Sequence, residues 1–105
     1  MFPKPQKAKR DNAYMRIVRT LPCLGATIDP HHVCSSRVDA AHVGKHHSNR
    51  KADDNTTVPL DHKLHLQMHS LSGPFKAWTK AELRAWREWA IMHTQEQIKS
   101  MGVKF

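Results

Sequence analysis

Residues 56–70, with the sequence TTVPLDHKLHLQMHS, combine two patterns of secondary structure. The first residues of this stretch are mainly β-branched and apolar, which is typical of a short strand. The pattern then changes, because Leu60, Leu64 and Met68 recur at intervals of four residues, as on one face of an α-helix. The stretch therefore predicts a strand that leads directly into a helix.

Histidines are concentrated around this helix. His65 and His69 are four residues apart, so they share one helical face about one turn from each other. Eight of the nine histidines in the chain fall between His31 and His69. Because imidazole binds transition metals and transfers protons near neutral pH, this concentration indicates a metal or catalytic site.

The segments upstream supply a partner strand and a helix. Residues 37–39 are again β-prone. A polar stretch, residues 45–55, separates them from the strand predicted at the start of residues 56–70, so the two strands are expected to form a hairpin with a long loop. Nearer the N-terminus, Asp11 or Asn12 can cap a short amphipathic helix that ends before Pro22.

The C-terminal segment predicts a long amphipathic helix. Thr79-Lys80-Ala81-Glu82 has the form of a capping box, in which the hydroxyl and the carboxylate satisfy exposed amide donors reciprocally. Leu83, Trp86 and Ala90 follow at helical spacing, and Gly102 is suited to end the helix. Together the elements predict a small α+β domain.

The length and the charge of the chain limit the number of domains and the kinds of partner that it can have. A chain of 105 residues forms one domain, so we predict a basic flexible arm over residues 1–10 and a single domain over residues 11–105. The chain carries 17 Lys and Arg against 9 Asp and Glu, a net charge of +8, which favours a polyanionic partner such as nucleic acid. No signal-peptide pattern and no apolar run of about 20 residues are present, which predicts a cytoplasmic protein with no membrane partner.

Hydrolysis of a phosphodiester bond needs a base that deprotonates water and a metal ion that stabilises charge on the phosphate. A neutral histidine suits the first task, and further histidines with carboxylates or amides suit the second. The segment from His42 to His69 offers these groups in an order that fits a β-hairpin followed by a helix.

Residues 20–78 resemble the HNH (ββα-metal) endonucleases of phages and prophages, in particular the recombination-associated type. The family pattern is similar to LPC…C…AAH-x-G…K-x-x-D…PLC-x-x-HH-x-x-x-H. The resemblance covers about half of the chain. The matching pieces are Leu21-Pro22-Cys23, Val38-Asp39-Ala40-Ala41-His42-Val43-Gly44, Lys51-Ala52-Asp53-Asp54, Val58-Pro59-Leu60, His65 and His69.

The resemblance implies an HNH-like ββα-metal core and a role for each matching residue. His42 would be the general base that activates water, and Asn55 would orient the loop of the base. His65 would bind the metal, His69 would be a second ligand or a phosphate contact, and Asp54 is a further candidate ligand. The three imidazoles are then expected to converge on one divalent ion, Mg²⁺ or Mn²⁺ for catalysis, with Zn²⁺ as an alternative.

A second alignment places the active-site pair earlier in the chain. His31 and His32 also resemble the family's paired histidines, the first a metal ligand and the second the base. The interval from His42 to His65 is 23 residues, close to that of the family, whereas the interval from His32 is 33. Spacing therefore favours His42 and leaves the earlier pair as the alternative.

The structural zinc site of the family is only partly represented. Asp61 stands where the family has a cysteine, and Leu64 where it has the first of two adjacent histidines. A zinc ion held by Cys23, Cys34, Asp61 and His62 is one interpretation. Loss of the site, with the fold resting on its core, is the interpretation that we favour.

The sequence thus predicts a metal-dependent endonuclease that hydrolyses nucleic acid, with DNA as the expected substrate. The alternative is a catalytically inactive module on the same fold that binds nucleic acid or a recombination protein. If the resemblance holds, the protein acts in a bacterial host cell and is encoded by a phage or prophage.

Overall fold

The computed structural model describes residues 12–30, 37–44 and 54–103. The predicted arm over residues 1–10, the candidate cap Asp11 and most of the predicted loop between the strands lie outside these ranges. Two short 3-10 turns are also present: Asp54–Thr56 lies before the strand that begins at Thr57, and Gly73–Ala77 lies before the helix that begins at Lys80. The main elements in chain order are helix α1 (Asn12–Val18), helix α2 (Gly25–Ile28), strand β1 (Val38–His42), strand β2 (Thr57–Asp61), helix α3 (His62–Ser70) and helix α4 (Lys80–Ser100).

The two strands form an antiparallel sheet, in a register that runs from Val38 opposite Asp61 to His42 opposite Thr57. The predicted hairpin is therefore confirmed, as is the helix that follows it. Asp61 ends β2 and also caps α3, because its carboxylate accepts a hydrogen bond from the Lys63 amide at 2.8 Å. The chain thus passes from strand to helix without a loop.

The two faces of the hairpin are covered by different helices. Ala41, Val58 and Leu60 lie on one face and belong to a core cluster that includes side chains of α3 and α4. Ala40, which points the other way, packs against a second cluster formed by α1 residues and the C-terminal half of α4. Burial on both sides explains why every residue of β2 is buried.

The long C-terminal helix begins as predicted. Thr79 Oγ1 accepts a hydrogen bond from the Glu82 amide at 3.1 Å, and the Glu82 carboxylate accepts one from the Thr79 amide, also at 3.1 Å. The buried Trp86 donates its indole N–H to Thr27 Oγ1, which ties α4 to the single turn of α2. Among the described helices, none is long and apolar enough to cross a membrane.

The architecture is therefore a small α+β fold in which a two-stranded antiparallel sheet packs between an N-terminal helix and a long C-terminal helix. The short helix α2, which has no sustained periodicity in the sequence, was not predicted.

Candidate functional site

A carboxylate at the start of β1 organises the histidines. Asp39 Oδ2 accepts hydrogen bonds from His62 Nδ1 at 2.6 Å and from His65 Nδ1 at 3.0 Å. Asp39 Oδ1 accepts a third from Arg37 Nε at 3.1 Å. An ionised carboxylate only accepts hydrogen bonds, so both imidazoles carry their proton on Nδ1. We call Asp39, His62, His65 and His69 the Asp39 cluster.

The register and the helix together bring these residues into contact. Asp39 lies opposite Leu60 in the sheet. Leu60 is two residues before His62, the first residue of α3. His65 is three residues further along the helix, so it lies on the same side of the first turn. A strand that leads directly into a helix therefore fixes both imidazoles beside the carboxylate.

The hydrogen bonds also hold the carboxylate in its charged form. Partial burial alone would raise the pKa of Asp39, since its side chain is only 18% exposed. The hydrogen bonds from His65, His62 and Arg37 outweigh that effect and lower its pKa to about 2. Asp39 is therefore an anion at any physiological pH.

The Nε2 atoms of His65 and His69 face each other. His65 Nε2 lies 3.0 Å from His69 Nε2, and the two ring centroids are 4.8 Å apart. Because the proton of neutral His65 is on Nδ1, where it is donated to Asp39, its Nε2 presents a lone pair toward His69. The sequence prediction that these two residues share one face is confirmed.

The candidate base His42 lies in a separate pair. Its Nε2 is 2.8 Å from Oδ1 of Asp54, a carboxylate that is only 1% exposed, whereas the His42 side chain is 33% exposed. The pairing follows from the register, because Thr57 is opposite His42 and Asp54 begins the turn immediately before Thr57. Asp54 thus orients this imidazole through Nε2, which leaves Nδ1 as the atom able to accept a proton.

The two groups lie on different faces of β1. Asp39 and His42 are three residues apart, so they point in opposite directions and are separated by about 10 Å along the strand. Asp39 shares its face with Ala41 and the α3 side of the core, whereas His42 shares its face with Ala40 and the α1 side. The expected convergence of three imidazoles is thus seen for His65 and His69, and His42 stands apart.

The remaining predicted residues have other partners. Asn55 accepts a hydrogen bond from Gln95 Nε2 through its backbone carbonyl, and Asp54 is the residue that contacts the imidazole of His42. Of the proposed zinc ligands, Cys23 is a free thiol whose sulfur accepts hydrogen bonds from the amides of Gly25 and Asp61. The carboxylate of Asp61 caps α3, and His62 belongs to the Asp39 cluster. His31, His32 and Cys34 lie outside the described residues.

Two residues of the site were given no role by sequence reasoning. Asp39 was seen only as part of a matching motif, and Arg37 only as part of a β-prone segment. Asp39 lies two positions before Ala41, so in a strand both side chains point to the same, core-facing side. A carboxylate on that side needs a polar partner, and this signal could have identified Asp39.

Within the described parts of the chain, no group of three or more His, Cys, Asp or Glu side chains is arranged as a complete metal site. The Asp39 cluster instead offers two imidazole nitrogens that face each other, those of His65 and His69, and one carboxylate that orients His65. No protein-family model, curated protein or solved structure matches the chain.

Proposed function

We propose that this protein is a metal-dependent endonuclease that hydrolyses phosphodiester bonds of nucleic acid, with DNA as the expected substrate. The observation that carries the proposal is the pair of Nε2 atoms of His65 and His69 that face each other, the first of them oriented by Asp39. The net charge of +8 supports a polyanionic substrate.

The spacing of the two nitrogens fits a metal ion. Two Zn–N bonds of about 2.1 Å at a tetrahedral angle span about 3.4 Å. The His65 and His69 Nε2 atoms are 3.0 Å apart, so a small rotation of the rings would bring them to the distance that a bound ion requires. Histidines that bind metal usually donate their other ring N–H to a carboxylate, as His65 does to Asp39. His65 and His69 would therefore hold the ion, and Asp39 would orient His65.

The donor set bears on which metal is used. Two imidazole nitrogens suit Zn²⁺, Co²⁺ or Ni²⁺ better than Mg²⁺, which prefers oxygen ligands. Of the metals expected from the sequence, the alternative, Zn²⁺, thus matches the pair better than Mg²⁺ does. A bound ion would supply a site that polarises the phosphate and lowers the pKa of water.

Two histidines are candidates for the general base, and each is oriented by a carboxylate. His42, paired with Asp54, is the residue that the family resemblance favours. His62, paired with Asp39, lies in the same cluster as the metal-binding pair and keeps its Nε2 available to accept a proton. Proximity favours His62, because His42 lies on the other face of β1.

A plasmid-nicking assay across Mg²⁺, Mn²⁺, Co²⁺ and Zn²⁺ tests the proposal. We expect metal-dependent nicking by the wild type and loss of nicking in His65→Ala and His69→Ala. His93→Ala removes a histidine of α4 that stacks on Trp89, so it is the matched control and should keep full activity. No nicking with any of the metals would overturn the proposal.

The same assay identifies the base. If His62 is the base, His62→Ala loses nicking while His42→Ala retains it, and the reverse result assigns the role to His42. Zn²⁺ titration by calorimetry is run alongside, because a variant that has lost its base should still bind metal through His65 and His69.

A second function, a nucleic-acid or recombination-protein binding module without catalysis, is favoured by one observation. His42 and the Asp39 cluster lie on opposite faces of the strand, an arrangement that a binder tolerates and a single catalytic centre does not. Binding of nucleic acid by a chain that neither takes up metal nor cleaves would establish this second function.

A further inference from the structure

A groove with basic walls lies where β1 ends. Val43 and Gly44, the two residues that follow His42, form one side of it, and the N-terminal half of α4 forms the other. Leu83 and Ile91 contribute apolar surface to its lining. The charged residues that line it are Lys80, Arg84, Arg87 and Glu88.

Within the described residues, the cations of the groove have no acidic partner. Neither Lys80, Arg84 nor Arg87 forms an ion pair with an acidic side chain in the part of the chain that the structure describes. Glu88 leaves an excess of two positive charges over the groove. Arg87 Nε is buried and has no hydrogen-bond partner among the described residues, so the wall of the groove contains a hydrogen-bond donor that a ligand could satisfy.

The spacing of the cations matches a phosphodiester backbone. Lys80, Arg84 and Arg87 follow one another at intervals of four and three residues, so they lie along one face of α4. The rise of the helix spreads them over about 10 Å. Along the axis of a DNA duplex, each strand carries about three phosphates over that length.

The groove and the Asp39 cluster lie on the same face of the hairpin. Asp39, Ala41 and Val43 occupy alternate positions along the chain, so their side chains point to the same face. Ala41 and Val43 belong to one core cluster. Val43 is therefore about 13 Å from Asp39 along the strand, and Ala41 between them is fully buried, so core side chains separate the groove from the cluster.

We infer that this groove binds the phosphodiester backbone of a nucleic-acid strand. The inference rests on the proposed function, since it specifies how the substrate of that function is held. Backbone contacts of this kind position a strand without reading its bases, so binding should show little sequence preference.

The test is the salt dependence of binding, measured by fluorescence anisotropy on a labelled DNA oligonucleotide, single-stranded and duplex, in EDTA. The variant Lys80→Gln with Arg84→Gln removes two exposed cations from the groove. The control Arg16→Gln with Arg19→Gln removes two exposed cations from the region of α1, so both variants lose the same charge. Thermal melting confirms that each variant folds.

Over a fourfold rise in salt concentration, each phosphate contact costs about 3-fold in affinity. We therefore expect the affinity of the groove variant to fall about 10-fold less than that of the wild type over this range. The control variant should follow the wild type, and Glu88→Gln should bind more tightly. Equal salt dependence in the groove variant and the control would overturn the inference.

The two proposals fail in different ways. Because EDTA removes metal, the binding assay does not depend on cleavage. A chain that binds through the groove and does not nick plasmid in any metal would overturn the endonuclease and leave the groove. A chain that nicks, and whose groove variant binds like the control, would overturn the groove alone.

Discussion

Replacing Asp39 with Asn tests whether the charge of this one carboxylate holds the histidine cluster together. The substitution keeps the shape of the side chain and removes the anion that accepts from His62, His65 and Arg37. The difference between the ordinary pKa of 3.8 and the value of about 2, at about 1.4 kcal/mol for each pKa unit, corresponds to about 2 kcal/mol. We expect Asp39→Asn to lower the free energy of unfolding by about this amount near neutral pH.

The pH dependence of that loss is the sharper test. Because folding lowers the pKa of Asp39, the ionised group stabilises the fold above about pH 4, and the stabilisation disappears as the pH falls toward 2. The stabilities of the wild type and the variant should therefore converge in acid. Urea unfolding followed by tryptophan fluorescence, at constant ionic strength and several pH values, measures both.

The exposed carboxylate of Glu96 provides the control, since Glu96→Gln removes one negative charge from the surface of α4. Its stability should stay within about 0.5 kcal/mol of the wild type. A difference in stability between wild type and Asp39→Asn that stays constant from neutral pH to about pH 3 would show that the loss does not come from the charge of Asp39.

Three further predictions concern the scaffold of the site. Gly44→Ala should lower the free energy of unfolding by about 1–3 kcal/mol, because the added methyl group would overlap the side chain of Thr56, and Thr56→Ala should recover part of the loss in a chemical-denaturation series. Thr79→Ala should cost about 1 kcal/mol by removing the side-chain cap of α4, seen as a lower midpoint in the same series, whereas an unchanged midpoint would mean that the cap contributes nothing. His42→Ala should cost about 1–3 kcal/mol, because the buried carboxylate of Asp54 loses its hydrogen bond from the imidazole, and His42→Gln should restore part of it in thermal unfolding.

Local signals in the sequence were sufficient to predict most of the fold. The capping box at Thr79 and the change of period after Leu60 each depend on residues within one or two turns, and the structure confirms both. The hairpin was predicted from two β-prone segments, and the antiparallel pairing of β1 with β2 confirms it. The turn of α2 was missed because four residues are too few to show a helical period.

The site was predicted less completely because its contacts join residues far apart in the chain. His65 and His69 could be paired from spacing alone, since four residues on a helix fix their relation. The contact of Asp39 with His62 and His65 depends on the register of β1 against β2, which the sequence does not specify. The same reason applies to Asp54, whose contact with His42 depends on a 3-10 turn in a segment that the sequence pattern predicts as loop.

The direct junction of β2 and α3 at Asp61 also determines what changes of length the chain tolerates. One residue inserted there would rotate the helix by about 100° relative to the sheet and carry both imidazoles away from the carboxylate. Three or four inserted residues would return the histidines to the same side but move them about 5 Å along the helix axis. The protein should therefore tolerate insertions in the segment between its two strands. An insertion at this junction should disrupt the Asp39 cluster, so variants that keep the cluster should also keep the length of the chain at the junction.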